Sequence, residues 1–500
     1  MNRIRIDTDE GRQTISRHIY GHFAEHLGRC IYEGIWVGEE SPIPNTRGIR
    51  NDVGAALSRL SVPNLRWPGG CFADTYHWKD GIGPRPLRPG MVNVHWGGVT
   101  ENNHFGTHEF MDFCSMIGAE PYICGNVGSG TVREMSEWLE YITMPGRSPM
   151  ADLRRANGRE DPWPITFWAV GNENWGCGGH MTALQYAGEF RRYQGYCRHF
   201  GGRAPYKIAC GFTDEWNEVL MREAGSLMSG LSVHYYTFAD RWERKGAATG
   251  FPASEWYSTM RNALGLEDFI NRTAAIMDRH DPGRRVGMIV DEWGTWFDVE
   301  PGTNPAFLYQ ANTIRDAVVA GLSLNIFNRH ADRVHMANIA QTVNVLQAMV
   351  LTKGAQMVVT PSYHVFEMYK VHQDATLLPL TLEGEKIQRH GPTMPALSAS
   401  ASRDAGGAVH VSLCNLDVEA GVDVEIELRG APPVDRVRGR ILTAPHMDSR
   451  NDFDTPEEVV PAAFAGASLR EGRVAATLPP MSVVVLELSM QAPLAPEVPT

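Results

Sequence analysis

Short apolar runs recur along the first three quarters of the chain, separated by stretches with helical spacing. The runs fall at 18–23, 62–67, 120–126, 165–172, 206–211, 231–236, 286–292 and 322–328. Runs of this length, bounded by turn residues, fit buried strands. Between them, 53–60, 107–117, 132–142, 181–199, 266–279 and 306–320 read as helices. Strand–helix alternation eight times over predicts an α/β fold, a (β/α)8 TIM barrel. After about Tyr369 the texture changes. Segments 408–415, 422–429, 436–442, 473–478 and 482–489 are short, Val-rich and separated by Gly, Pro and Asp. That is all-β texture and predicts a C-terminal β-sandwich, jelly-roll-like. The alternating Arg and Ile of 3–7 precede the barrel and are expected to join the distal sheet. The expected organisation is an N-terminal strand in 1–15, a catalytic barrel over 16–370, a β-sandwich over 371–490 and a loosely held, Pro-containing tail over 491–500.

Two of the runs end in a Glu. One reads Trp168-Ala169-Val170-Gly171-Asn172-Glu173-Asn174-Trp175-Gly176, the other Met288-Ile289-Val290-Asp291-Glu292-Trp293-Gly294, and the two Glu residues are 119 positions apart. On the barrel register Glu173 follows strand four and Glu292 ends strand seven. Both then face the C-terminal end, where barrel active sites lie. A pair of carboxylates there suggests glycoside hydrolysis. Surface Glu residues beside turns are the alternative, and the Trp-rich surroundings of both favour a site.

Composition narrows the partners. The chain has 500 residues, 43% hydrophobic and 21% charged, with net charge −12 and pI near 5.8. The length suggests more than one core. The acidic balance argues against nucleic-acid or anionic-membrane partners. Thirteen Trp residues suit flat sugar-binding faces and equally suit cores. The N-terminus has no apolar segment of a signal peptide, and no stretch approaches a membrane span.

Eight cysteines (Cys30, Cys71, Cys114, Cys124, Cys177, Cys197, Cys210, Cys414) are scattered with no CxxC pair. Free buried thiols in a cytoplasmic protein are the simplest expectation. His22 and His26, and His104 and His108, are each four apart and could in principle share a helix face. Neither pair sits in HExxH, so no metal and no cofactor are expected.

The chain resembles the α-L-arabinofuranosidases of glycoside hydrolase family 51. The matching segments are Tyr20-Gly21-His22-Phe23-Ala24-Glu25-His26-Leu27-Gly28-Arg29, Leu65-Arg66-Trp67-Pro68-Gly69-Gly70, Asp80-Gly81-Ile82-Gly83-Pro84, Val170-Gly171-Asn172-Glu173, Ser232-Val233-His234-Tyr235-Tyr236, Asp291-Glu292-Trp293 and Asn338-Ile339-Ala340-Gln341. They run through the barrel in the family's order.

The resemblance implies that Glu173 is the general acid/base and Glu292 the nucleophile of a retaining, exo-acting enzyme that releases terminal α-L-arabinofuranosyl groups. Retention needs the two carboxyls about 5–5.5 Å apart, and burial with a neighbouring charge is expected to keep Glu173 protonated. Asn172 is expected to contact the sugar 2-OH. Glu25, Arg66 and Gln341 match polar residues that hold the furanose or the nucleophile. Arg66 is equally readable as a salt bridge under the site. His234 and Tyr236 end strand six, with the Tyr hydroxyl in reach of the nucleophile. Trp96 and Trp296 are candidate apolar walls, with core packing as the alternative; Phe23 reads as core before wall. Cys71 stands where relatives place Asn, which puts a sugar contact there in doubt. The implied partners are arabinose-containing oligosaccharides from arabinan or arabinoxylan, and a homo-oligomer, often a hexamer, is implied too. The alternatives are a β-xylosidase or β-glycanase on the same barrel, a non-catalytic sugar-binding protein that kept the cleft, and a metal-dependent hydrolase using the His pairs.

Overall fold

A computed structural model describes residues 2–202 and 204–490. Eight parallel strands close into a barrel in chain order: Gly21–Phe23, Asn64–Trp67, Glu120–Gly125, Phe167–Val170, Tyr206–Cys210, Gly230–Thr237, Gly287–Thr295 and Val334–Ala340. Strands covered on both faces read as near-continuous apolar runs, and seven of the eight expected strands fall on observed ones. Side-chain caps set helix limits. Thr182 accepts from the backbone N–H of Gln185, whose side chain returns to the Thr182 N–H, so the helix expected over 181–199 begins at Ala183 and spans Ala183–Gln194.

The eighth strand corrects the sequence reading. Residues 322–328 are not a strand but lie inside the helix Ile314–Arg329, and the strand follows at Val334–Ala340. That helix is buried around nearly its whole circumference, because it is wedged between the barrel and the β-rich region. Its Asn325 and Asn328 donate to Ser398 and Ser400, and Arg329 donates to the carbonyl of Ala399. A helix buried on every side, its polar groups tied to neighbouring elements, has no clear amphipathic signature and reads like a buried strand. The helix expected over 306–320 shrinks at its start to a short 3₁₀ turn at Pro305–Phe307.

The C-terminal region holds two sheets. A five-stranded sheet contains the N-terminal strand Asn2–Asp7, which pairs in parallel with Val422–Arg429 and antiparallel with Leu380–Glu383. A six-stranded sheet is built around Leu397–Arg403, Val409–Asn415, Ser482–Met490 and Val434–Leu442. The tail over 491–500 lies outside the described residues. No helix among the described residues is long and apolar enough to cross a membrane.

Candidate active site

The C-terminal ends of the barrel strands surround a cavity of about 730 Å³. Glu25, Cys71, Trp96, Glu173, His234, Tyr236, Glu292, Trp296 and Gln341 all line it. Arg66 and Asn172 are buried beside it, joined to each other and to Glu292 through the Arg66 guanidinium. Phe23 is buried under the Arg66 guanidinium, 4.4 Å from ring centre to Cζ.

Glu292 sits in strand seven and is fixed from two sides. Arg66 Nη1 donates to its Oε1 at 2.7 Å, and the Tyr236 hydroxyl donates to its Oε2 at 2.7 Å. The same guanidinium donates through Nη2 to Asn172 Oδ1 at 2.6 Å. A planar fork suits this double duty in a way an ammonium would not. The neighbouring Asp291 accepts from the Tyr122 hydroxyl at 2.6 Å and from Ser232 at 2.5 Å, with Arg66 Nε 3.5 Å away. Burial opposes its charge, yet the charges of Arg66 and His234 and these donors hold Asp291 down at about 2.

Glu173 lies on the turn after strand four. Gly171 there has φ +90°, and a Cβ on it would come within 2.1 Å of Asn174 Oδ1, so glycine is required. Glu173 itself has φ +42°, an uncommon backbone region for a residue with a side chain. Such conformations cost about 1–3 kcal/mol and cluster where a side chain must be aimed. Its Oε1 accepts from His234 Nδ1 at 2.9 Å, and the same nitrogen is 3.5 Å from Glu292 Oε2. One oxygen from each carboxylate and a His234 ring nitrogen all fall within 4.8 Å of one another. Burial would lower His234, but Glu292, Asp291 and Glu173 together raise it to about 10, so it is an imidazolium at neutral pH.

Glu25 follows strand one. It accepts from the Phe72 backbone N–H at 3.1 Å, from Trp96 Nε1 at 2.9 Å and from Gln341 Nε2 at 3.0 Å. Trp96 is therefore wall and hydrogen-bond donor at once. A Cβ on Gly70 would sit 2.5 Å from Glu25 Oε1, so glycine alone permits this approach. Burial, then the charge of Glu292, pushes Glu25 up to about 7.

The cysteine expectation is overturned for two of the eight. Cys71 and Cys177 form a disulfide across 106 residues, while the other six are free and buried. Loops after strands two and four converge over the barrel mouth, a proximity that scattered spacing does not reveal. Cys71 is thus no thiol donor to a sugar.

The His pairs do not assemble. His26 is occupied by Glu101 at 2.8 Å and by Trp67 Nε1 at 3.0 Å, His108 faces the Tyr141 hydroxyl, and His22 is buried against Phe366. Among the described residues, those that could offer ligand atoms together are Cys71, Glu173 and Cys177, and Glu173, His234 and Glu292. The first set is consumed by the disulfide and the second by the hydrogen bonds above.

Several site residues escaped the sequence reading. Asp74, buried, accepts from the N–H groups of Val127, Gly128 and Asn172 at 2.8, 2.7 and 3.1 Å, joining the loops after strands two, three and four. Burial outweighs those donors and pushes it up to about 7. Trp175, stacked on Phe212 at 3.7 Å, and Trp242, edge-on to Trp296, form the rim. Asp291 and Trp175 carried a signal, as members of the motifs around Glu292 and Glu173; Asp74 and Trp242 carried none.

Residues 56–205 match the α-L-arabinofuranosidase 1 domain, and residues 291–482 match the α-L-arabinofuranosidase C-terminal domain. An intracellular exo-α-L-arabinofuranosidase of Bacteroides ovatus is 51% identical over 489 residues, 97% of this chain and 95% of the relative. The chain belongs to the family 51 α-L-arabinofuranosidases. The crystal structure of the GH51 arabinofuranosidase from Xanthomonas axonopodis pv. citri superposes with a TM-score of 0.96 at 49% identity, covering 98% of this chain and 99% of that one. The α-L-arabinofuranosidase of Thermotoga maritima, solved as an arabinose complex, gives 0.84 at 33% identity over 97% and 99% of the two chains. An intracellular exo-α-(1→5)-L-arabinofuranosidase of Streptomyces lividans is 30% identical over 94% of this chain and 72% of its own length.

Proposed function

We propose that this chain is a retaining, exo-acting α-L-arabinofuranosidase in which Glu292 is the nucleophile and Glu173 the general acid/base. The observation that carries the reading is the convergence of Glu173, His234 and Glu292 within 4.8 Å at the mouth of the barrel. Carboxylate oxygens this close fall short of the roughly 6.5–9.5 Å spacing that lets an inverting pair place a water beside the sugar, and so favour direct attack by one of them.

The chemistry follows from the partners. Glu292 Oε1 is turned inward to Arg66, which leaves Oε2, steadied by Tyr236, to attack the anomeric carbon. Glu173 protonates the departing oxygen. A glycosyl ester forms on Glu292, and Glu173 then takes a proton from the water that releases it, so configuration is retained. The imidazolium of His234 stands between Glu173, Asp291 and Glu292 and offsets the charges of the latter two. Glu25, Trp96 and Gln341 form the opposite wall and bind the furanose hydroxyls; Trp296 supplies an apolar face, and Asn172 reaches the 2-OH. The reaction needs no cofactor.

The parent polymers are arabinan or arabinoxylan, met as small oligosaccharides in the cytoplasm; the Bacteroides ovatus and Streptomyces lividans relatives are both named intracellular. The β-rich region over 371–490 supports the barrel without entering the chemistry. Assembly as a homo-oligomer is supported by the exposed aliphatic side chains of Leu87, Val92, Val94 and Val99 along one surface segment. The test is release from an aryl α-L-arabinofuranoside beside aryl β-D-xyloside and β-D-glucoside. Preference for either of the latter two would overturn the reading.

A further inference from the structure

We propose that the Cys71–Cys177 disulfide is a positioning element for Glu173, and that its reduction by a dithiol selectively weakens proton donation to poor leaving groups. The proposal rests on Glu173 being the acid/base.

Cys71 opens the short helix Cys71–Thr75 after strand two, and Cys177 lies four residues beyond Glu173. Their bond ties the turn that carries Glu173 to a neighbouring loop. The Glu173 carbonyl already accepts from the N–H groups of Gly176 and Gly178 at 2.7 and 3.1 Å, so movement of Cys177 pulls directly on this turn. At the side chain, Cys177 Sγ is 3.5 Å and Cys71 Sγ 3.8 Å from Glu173 Oε2. A disulfide sulfur carries no proton. These are therefore contacts and not hydrogen bonds, and Oε2 has no other polar protein partner among the described residues. The other oxygen, Oε1, is taken by His234. The oxidised pair thus presents a wall of sulfur that leaves Oε2 free to carry the proton towards the leaving oxygen.

Reduction changes both features. A thiolate of the reductant attacks one sulfur, the Sγ–Sγ bond breaks, and the departing cysteine thiolate takes up a proton. The second reductant thiol displaces the mixed disulfide. Two electrons pass from the dithiol to the cysteines, and the reductant leaves as its own disulfide. The turn loses its tie. Two S–H groups now face Oε2 and can donate to it, which favours the carboxylate over the acid. Cys71 lines the cavity and Cys177 is half-buried, whereas the six free cysteines are buried, so a small dithiol reaches this pair alone.

The test uses the full chain purified without reductant. Thiols are counted in denaturant before and after native treatment with dithiothreitol. Turnover is then compared on 4-nitrophenyl α-L-arabinofuranoside and on an arabinofuranosyl disaccharide. Six thiols are expected to become eight. The disaccharide should lose roughly five-fold more of its kcat/KM than the nitrophenyl substrate, the scale of one hydrogen bond. The basic limb of the disaccharide pH profile should move to lower pH, and reoxidation should restore both. The C71S/C177S double variant should show the reduced ratio from the outset and ignore dithiothreitol. Eight thiols in untreated protein, an unchanged ratio after full reduction, or equal loss on both substrates would each overturn the proposal. If Glu173 were not the acid at all, its alanine variant would spare the nitrophenyl substrate no more than the disaccharide, which distinguishes that failure from this one.

Discussion

Removing the Tyr236 hydroxyl, by Tyr236→Phe, isolates one interaction of Glu292, the proposed nucleophile. The hydroxyl donates to Glu292 Oε2 at 2.7 Å, in a setting where the carboxylate is almost wholly withdrawn from solvent. Hydrogen bonds to charged groups contribute about 1.5–3 kcal/mol, and 1.36 kcal/mol is a factor of ten, so a loss of roughly 10- to 150-fold is expected. The lower half of that range is favoured because Arg66 still holds Oε1 at 2.7 Å and His234 Nδ1 stands 3.5 Å from Oε2. The loss should not be shared evenly between the two steps. When the glycosyl ester breaks, negative charge returns to the oxygen that Tyr236 faces, so deglycosylation loses a donor as its charge develops. With a good leaving group the variant should show a burst of nitrophenol followed by slow turnover. Stopped-flow absorbance on dinitrophenyl arabinofuranoside reads both phases, and a denaturant titration checks the fold. A folded variant within two-fold of the wild-type kcat, with no burst, would refute the assignment of Oε2 as the attacking atom.

Two further substitutions separate the carboxylates. Glu173→Ala should retain glycosylation by nitrophenyl substrates, accumulate the glycosyl-enzyme, and recover turnover with azide as a product of retained configuration; Glu292→Ala should be inert on every substrate. Chromatography and NMR of the azide product check this, and azide rescue of Glu292→Ala with inversion would exchange the two roles. Glu25 gives a pH prediction. Its folded-state value of about 7 lies above the ordinary 4.5, so it favours the folded state below pH 4.5 and that contribution disappears as pH rises through 7. In Glu25→Gln the loss is absent, so the stability of the wild type relative to the variant should fall by up to about 3 kcal/mol between pH 4.5 and 8, at 1.36 kcal/mol per unit. Gln341 can accept the new amide, because its own Oε1 is buried without a partner. Urea titrations at the two pH values check this, and a pH-independent difference would refute it.

The barrel was legible because most of its strands are covered on both faces, which leaves short apolar runs that end at the polar residues of the site. Glu173 and Glu292 stand out for that reason: each ends or follows such a run. The pattern failed where burial was complete on every side. The helix Ile314–Arg329 contains the run 322–328, whose composition is that of a strand, while the true strand, Val334–Ala340, carries Asn338 for a structural reason. Asn338 donates to the His22 carbonyl at 2.8 Å and to Asn64 Oδ1 at 2.7 Å, a tie between strands that its sequence neighbours do not announce. Asp74 and the Cys71–Cys177 pair were illegible because each acts between loops from different strands. Nothing local to Asp74 announces that it gathers three backbone N–H groups, and nothing in the spacing of the cysteines distinguishes the pair from the six that remain free.

The distribution of charge explains why the carboxylates of one cavity can do different work. Asp291 and Glu292 stand beside Arg66, and His234 reaches both of them and Glu173. Two cations therefore stand among three carboxyl groups. Glu25 stands outside this group: its donors are an indole, an amide and a backbone N–H, all neutral. It feels the charge of Glu292 without a cation in contact, so it is the carboxyl that takes up a proton at about 7 while Asp291 stays ionised down to about 2. A neutral Glu25 relieves repulsion on the nucleophile and becomes a hydrogen-bond donor towards the cavity. An ionised one can only accept hydrogen bonds from the cavity and repels Glu292. Burial of one carboxyl among neutral donors, apart from Glu292 and its Arg66 partner, therefore predicts a pH dependence near neutrality that does not involve the proposed catalytic pair.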